Sequence, residues 1–202
     1  KLVPKVGATA RLLYVIYFGM TILEIILLLL GGMDPFDAVT ISFGTAGTGG
    51  FGVRGDSCAS YSPYCIWVIT VFMVLFGVNF NAYYFLSIGS VKKALRMEEV
   101  RWYIIIILVA TAIIFSTLLG TYAPFEALTH AAFQVGTIIT TTGFATADFD
   151  QWSSLAKTVL VLLMFVGACA GSTGGGIKVS RIIVFFKSAF REIGSYIHPR
   201  SV

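Results

Sequence analysis

The chain has 202 residues, of which 57% are hydrophobic and only 12% charged, with a formal net charge of +4. A soluble domain carries about 25% charged residues. Half of that cannot cover a water-facing surface of this size, so a soluble globular protein is excluded and an all-α integral membrane protein is implied. The basic excess then bears on membrane orientation and not on nucleic acid. Residues 1–10 are polar and lack a signal-peptide cleavage pattern, and the missing initial Met fits a piece of something longer.

Taken in chain order, the first apolar segment covers about 12–30, near the ~20 residues that cross a bilayer. Glu24 interrupts it. Such a residue is expected to face the bundle interior with a polar partner; the alternative is a residue of a cation pathway. Gly31 to Pro35 breaks the helix, and a shorter segment, 36–46, is too short to span. It runs into Gly47-Thr48-Gly49-Gly50-Phe51-Gly52, which no helix tolerates well. A polar loop over 53–62 precedes a second apolar span, 64–90, in which Asn79 and Asn81 are expected to hydrogen-bond to neighbouring helices.

Lys92, Lys93, Arg96 and Arg101 form a basic connector that also holds Glu98 and Glu99. The order of events then repeats. A span covers 102–119, Pro124 opens a short helix over 124–139, and a Thr/Gly turn covers 140–145. A polar loop leads to a broken span over 155–190, interrupted by a glycine-rich stretch at 167–176. Gly50-Phe51 and Gly143-Phe144 stand about 93 residues apart at matching points. The chain therefore divides into two units, 1–95 and 96–202, each a span, a pore helix, a filter turn and a span. Each unit has an even number of spans, so the repeats are parallel and not inverted.

Cys58 and Cys65 flank the first polar loop, and the spacing leaves a disulfide and two free thiols both open. No Cys/His spacing indicates a zinc site. The basic residues Lys1, Lys5 and Arg11, the 91–101 connector, and Lys187, Arg191 and Arg200 all fall on one side of a four-span layout. That side is expected to be cytoplasmic. The other side holds Asp34, Asp37, Asp56, Glu126, Asp148 and Asp150, with Arg54 as the main exception. Such an acidic outer mouth would concentrate cations.

A short helix that returns through glycine is a re-entrant loop, tolerated at membrane depth only where protein buries it or it lines water. Its turn exposes main-chain carbonyls, which can replace an ion's hydration shell. The pore-helix C-terminus adds about half a negative charge there. Oxygen ligands without a nearby carboxylate suit a weakly hydrated monovalent cation. The stretch "GSTGGGIKVS" (171–180) is similar to a phosphate loop only superficially: Ile177 separates Gly176 from Lys178, and no βαβ context surrounds it. Its place in a span points to an unwound segment beneath the filter, able to block or open a pore. Lys178 and Arg181 follow it, either snorkelling to the interface or helping to set the gate.

"TTTGFATADFDQW" (140–152), "GACAGSTGGGIKVSR" (167–181) and "IHPRSV" (197–202) resemble the TrkH potassium-uptake proteins of the Trk/Ktr/HKT superfamily. "GTGGFG" and "FGVNFNAYY" (76–84) match the preceding part of the same family. The resemblance implies four span–pore helix–span repeats around one pore, of which this chain holds two, the second and third. It implies filter glycines at Gly50 and Gly143. Main-chain oxygens of Gly47, Thr48, Gly49, Thr140, Thr141 and Thr142 would flank K⁺. It also implies a gating loop with Gly167, Gly171, Ser172, Thr173, Gly174, Gly175 and Gly176. By the same resemblance the chain would sit in the plasma membrane, take K⁺ as transported ion without a cofactor, form a homodimer, and meet a cytoplasmic nucleotide-binding regulatory subunit. The missing repeats would come from the same protein or from a second copy. "GTGGFG" lacks the hydroxyls of "TTTGFA", so the two turns are expected to bind the ion unequally. Two other readings compete: a non-conducting assembly subunit, and a membrane-embedded enzyme using His130 with Asp148 and Asp150.

Overall fold

The computed structural model describes residues 6–197. Lys1, Lys5, Arg200 and all but the first residue of "IHPRSV" lie outside the described residues. Among the described residues the fold is entirely helical, without a strand. Helix α1 covers Val6–Leu30, α2 Pro35–Ala46, α3 Pro63–Phe76, α4 Phe80–Ser87 and α5 Val91–Arg96. Helix α6 covers Glu98–Leu118, α7 Pro124–Ile139, α8 Ser154–Val166 and α9 Val179–Ile197.

Local chemistry starts these helices where proline and a polar cap coincide. Asp34 accepts from the Phe36 amide ahead of α2, and Ser62 accepts from the Cys65 amide ahead of α3. Pro35, Pro63 and Pro124 occupy first-turn positions, where a missing N–H leaves nothing unpaired. Ser153 caps α8 through the Ala156 amide.

Ala10–Leu30 and Glu98–Leu118 are long and apolar enough to cross a membrane. Their outward faces are apolar: Phe18 is 60% exposed, Leu30 75% and Leu108 63%. Surface of that kind suits lipid and not water. Inside, α7 lies against α3, α6 and α8, while α2 lies against α1 and α3. The α3–α7 contact joins the two halves and is tied by Trp67 Nε1, which donates to Thr129 Oγ1 at 3.0 Å. One core cluster crosses this seam: Ile41, Ile69 and Met73 pack with Phe133 and Phe144.

The span expected over 64–90 is not one continuous helix. Helix α3 stops at Phe76, α4 starts at Phe80, and the two are bent by 90°. A side chain at Gly77 would run into the Tyr103 hydroxyl, so the backbone passes there only as glycine. Asn79 then restarts the chain as N-cap, its Oδ1 accepting from the Asn81 amide at 2.9 Å. Of the two asparagines expected to bond across helices, Asn79 does so and Asn81 is exposed.

Other expectations also change. The 91–101 connector contains α5 and the first turn of α6. Asp37 is buried and bound by Arg54 Nε at 3.2 Å and by the Tyr61 hydroxyl at 2.9 Å. It is therefore a structural anion and not a free charge at an outer mouth, and Arg54 is its counter-ion. Glu24 is fully buried and faces the bundle interior as expected; its polar neighbour is Thr45, but neither carboxyl oxygen meets a partner in hydrogen-bond geometry among the described residues. The Thr45 hydroxyl beside it is committed to the Ile41 carbonyl at 2.9 Å. Cys58, Cys65 and Cys169 are all buried free thiols.

Candidate functional site

The two glycine turns end their helices by the same hydrogen bonds. After α2, the amides of Gly47, Thr48 and Gly49 donate to the carbonyls of Phe43, Thr45 and Gly44 at 2.9, 3.2 and 2.7 Å. After α7, Thr140, Thr141 and Thr142 donate to Gly136, Ile138 and Thr137 at 3.2, 3.0 and 2.9 Å. This is a Schellman closure, which needs a left-handed residue just past the cap. That residue is threonine in both cases: Thr48 has φ 51° and Thr141 φ 58°. A left-handed L-residue costs roughly 1–2 kcal/mol, and a β-branched one is a genuine outlier. Strain of this kind collects where function needs a fixed backbone.

Two residues further on the chain returns to positive φ: Gly50 has φ 69° and Gly143 φ 98°. The two turns meet backbone to backbone. A Cβ on Gly50 would overlap the Thr142 carbonyl oxygen, whereas a Cβ on Gly143 would come no nearer than 3.9 Å to Gly50 Cα. Gly50 is thus needed for the close approach, and Gly143 faces open space.

Side chains brace the turns unequally. Thr137 Oγ1 accepts from the Gly143 amide at 3.0 Å, and Thr140 and Thr142 share a hydroxyl contact at 2.7 Å. The matching positions in the first turn, Gly44, Gly47 and Gly49, carry no hydroxyls. The Phe144 ring fills the space at Gly44 instead, 2.9 Å from where a Cβ would stand. Phe144 is 1% exposed, while its counterpart Phe51 is 83% exposed.

The glycine-rich segment between α8 and α9 is an ordered loop against both turns. Thr48 Oγ1 donates to the Thr173 carbonyl at 3.3 Å, and the Gly175 amide donates to Thr141 Oγ1 at 2.6 Å. Gly174 packs on the Thr140 carbonyl, where a Cβ would stand 2.9 Å away. The two left-handed threonines are therefore the two residues whose hydroxyls touch the loop. Gly167, Gly171 and Gly176 take positive φ, and Gly167 packs on Gly176 to close the base of the loop. Ser172 Oγ donates to the Cys169 carbonyl at 2.6 Å. Lys178 Nζ donates to the Gly174 carbonyl. The Lys178 side chain thus folds back onto the loop, while Arg181 is exposed on the first turn of α9.

The remaining sequence candidates are not brought together. His130 Nδ1 meets Thr146 Oγ1 at 2.9 Å and Nε2 stands 3.8 Å from Glu126, so its partners are not Asp148 or Asp150. Asp148 is engaged with the Asp150 amide and with Gln151 Nε2. No group of His, Cys, Asp or Glu that could hold a metal ion occurs among the described residues. Sequence reading did not single out Phe144, Thr137 or Glu99; Phe144 could have been found by asking what fills the glycine position at Gly44.

This helical chain has known relatives. A family model described as TrkH, a cation transport protein, matches residues 1–202. The Trk system potassium uptake protein TrkH of Vibrio parahaemolyticus is 36% identical over 209 residues, covering 100% of this chain and 43% of that protein. The Escherichia coli K12 protein of the same name is 34% identical over 213 residues with the same coverage. The E. coli K12 Trk system potassium uptake protein TrkG is 31% identical over 209 residues. The crystal structure of the potassium transporter TrkH from V. parahaemolyticus superposes with a TM-score of 0.91 at 35% identity, covering 100% of this chain and 44% of that one. The chain belongs to the TrkH family of cation transport proteins, and it spans less than half the length of these relatives.

Proposed function

We propose that this chain supplies two of the filter turns, and the gate, of a K⁺-conducting pore in a Trk-type uptake system of the plasma membrane. The main-chain oxygens of Gly47, Thr48 and Gly49 and of Thr140, Thr141 and Thr142 coordinate dehydrated K⁺. The loop over 167–176 lies in the ion path below them and opens by moving. The observation that carries this reading is the pairing of two turns, matching in their main-chain hydrogen bonds, with one loop held to each by a left-handed threonine. Closing a ring around the ion takes further repeats of the same kind. The exposed Phe51 supports this, since its counterpart Phe144 is buried against the neighbouring pore helix. The C-terminal ends of α2 and α7 favour a cation at the turns through their dipoles. The 91–101 connector and α9 face the cytoplasm by their basic residues. A homodimer and a nucleotide-binding regulatory subunit on that face accord with the family.

Rb⁺ and Na⁺ uptake by the full-length protein in liposomes tests this. Gly143→Ser should change the Rb⁺/Na⁺ ratio, because its side chain enters the open space at the turn. Shortening 171–176 should raise basal leak. Parent-like selectivity and leak in both variants would leave the turns as packing elements of a non-conducting assembly subunit.

A further inference from the structure

The glycine-rich loop is held from a second side, away from the filter turns. Its main chain fills the gap opened by the 90° bend between α3 and α4. The Cys169 amide donates to the Gly77 carbonyl at 3.1 Å, the Phe80 amide donates to the Gly171 carbonyl at 3.0 Å, and the Thr173 amide donates to the Phe76 carbonyl at 3.4 Å. These are neutral main-chain bonds, each contributing modestly on its own. One side chain bridges the same seam with a charge. Glu99, in the first turn of α6, accepts from the Ala170 amide through Oε1 at 2.5 Å and from Asn79 Nδ2 through Oε2 at 3.0 Å. Asn79 itself caps α4 through Oδ1. One carboxylate thus links three elements: the start of α6, the break in the preceding repeat's span, and the loop.

Charge-assisted bonds to a carboxylate are roughly twice as strong as neutral ones. Glu99 is half-buried, so water competes with it only in part. Lys178 folds back from the end of the loop onto the loop's own Gly174 carbonyl; Glu99 is the ionisable side chain that ties the loop to another helix.

We propose that Glu99 is a positioning residue, a latch that holds the intramembrane loop against the α3–α4 break and so in its closed place beneath the filter turns. The consequence for flux rests on the gate reading above; the latch itself does not. Asn79 transmits the shape of the break to the loop, since its amide is fixed at one end by the α4 cap and at the other by Glu99.

The test uses the full-length protein and two readouts. Amide hydrogen exchange over 167–176 reports the latch, and Rb⁺ leak from loaded liposomes reports the gate. Asn79→Asp keeps the cap oxygen but sets a carboxylate against Glu99; loop exchange should rise about tenfold or more, with leak rising alongside. Glu99→Ala should do the same. The double variant Asn79→Asp with Glu99→Gln reverses the polarity of the pair. The introduced amide donates to the introduced carboxylate, its oxygen still accepts from Ala170, and both readouts should return towards the parent. A loss of packing alone gives no such rescue. Unchanged loop exchange in Asn79→Asp and Glu99→Ala, or no rescue in the double variant, overturns the latch. Faster exchange with rescue but unchanged leak supports the latch and refutes the gate reading instead.

Discussion

Gly50 and Gly143 hold matching places in the two turns, yet alanine should act differently at each. Both replacements force an L-residue into positive φ, 69° and 98° respectively, a strain of about 1–3 kcal/mol at either site. The difference is steric. At Gly143 the new methyl meets nothing closer than 3.9 Å, so strain is the whole cost. At Gly50 the methyl overlaps the Thr142 carbonyl oxygen and stands 2.9 Å from its carbon and 3.0 Å from Gly143 Cα. These are backbone atoms and cannot rotate away. The Thr142 carbonyl must move by about 1 Å, which costs a further ~1–3 kcal/mol, as overpacking does in a well-packed interior. Gly50→Ala should therefore lower folded yield and thermal stability markedly and abolish Rb⁺ uptake. Gly143→Ala should leave the protein folded, with uptake altered through the open side of the turn. Both variants belong in the full-length protein, followed by size-exclusion thermal melts and liposome flux. Equal losses of stability in the two variants would refute a backbone-to-backbone meeting of the turns at Gly50.

Thr141→Ala removes the acceptor for the Gly175 amide, worth about 1 kcal/mol, and should raise Rb⁺ leak about fivefold in loaded liposomes; Thr141→Ser keeps the acceptor and the parent leak. Arg54→Ala leaves the buried Asp37 carboxylate with Tyr61 alone. Arg54 is 43% exposed, so the expected loss is limited to about 1–2 kcal/mol, and Asp37→Asn in the same background should recover part of it in thermal melts. Burial pushes the Cys58 thiol up from 9.0 to about 12. Its reactive thiolate therefore appears only as pH climbs towards that value, and maleimide at pH 8 should label Cys58 in unfolded but not in folded protein, as mass spectrometry of the 53–62 peptide would show.

The first glycine turn was legible because Gly47–Gly52 is poorly tolerated in a helix and follows one too short to span, and the second because 140–145 stands at the matching point of the repeat. The unwound loop was legible for the same reason: four glycines between Gly171 and Gly176 interrupt an otherwise apolar run. The break at Gly77–Asn79 was not. One glycine and one asparagine inside an apolar stretch are compatible with a continuous span, and the main-chain groups left free at the bend are bonded by a loop about 90 residues further on. The pairing of Asp37 with Arg54 was hidden for a related reason. Charge counts assign a side of the membrane but do not say that one acid is buried against its counter-ion. Phe51 and Phe144 look identical in sequence, and only the packing of Phe144 on Gly44 of α2 distinguishes them. Glu99 lay within a basic connector, where an acid reads as surface decoration. Its partners, Asn79 and Ala170, lie on either side of it in the chain.

The most direct measurement of the central claim is anomalous diffraction from Rb⁺-exchanged crystals of the full-length protein. A peak is expected on the axis between the carbonyls of 47–49 and 140–142, lost in Gly143→Asp. A protein that carries Rb⁺ in liposomes but shows its ion elsewhere, with these carbonyls unliganded, would contradict it.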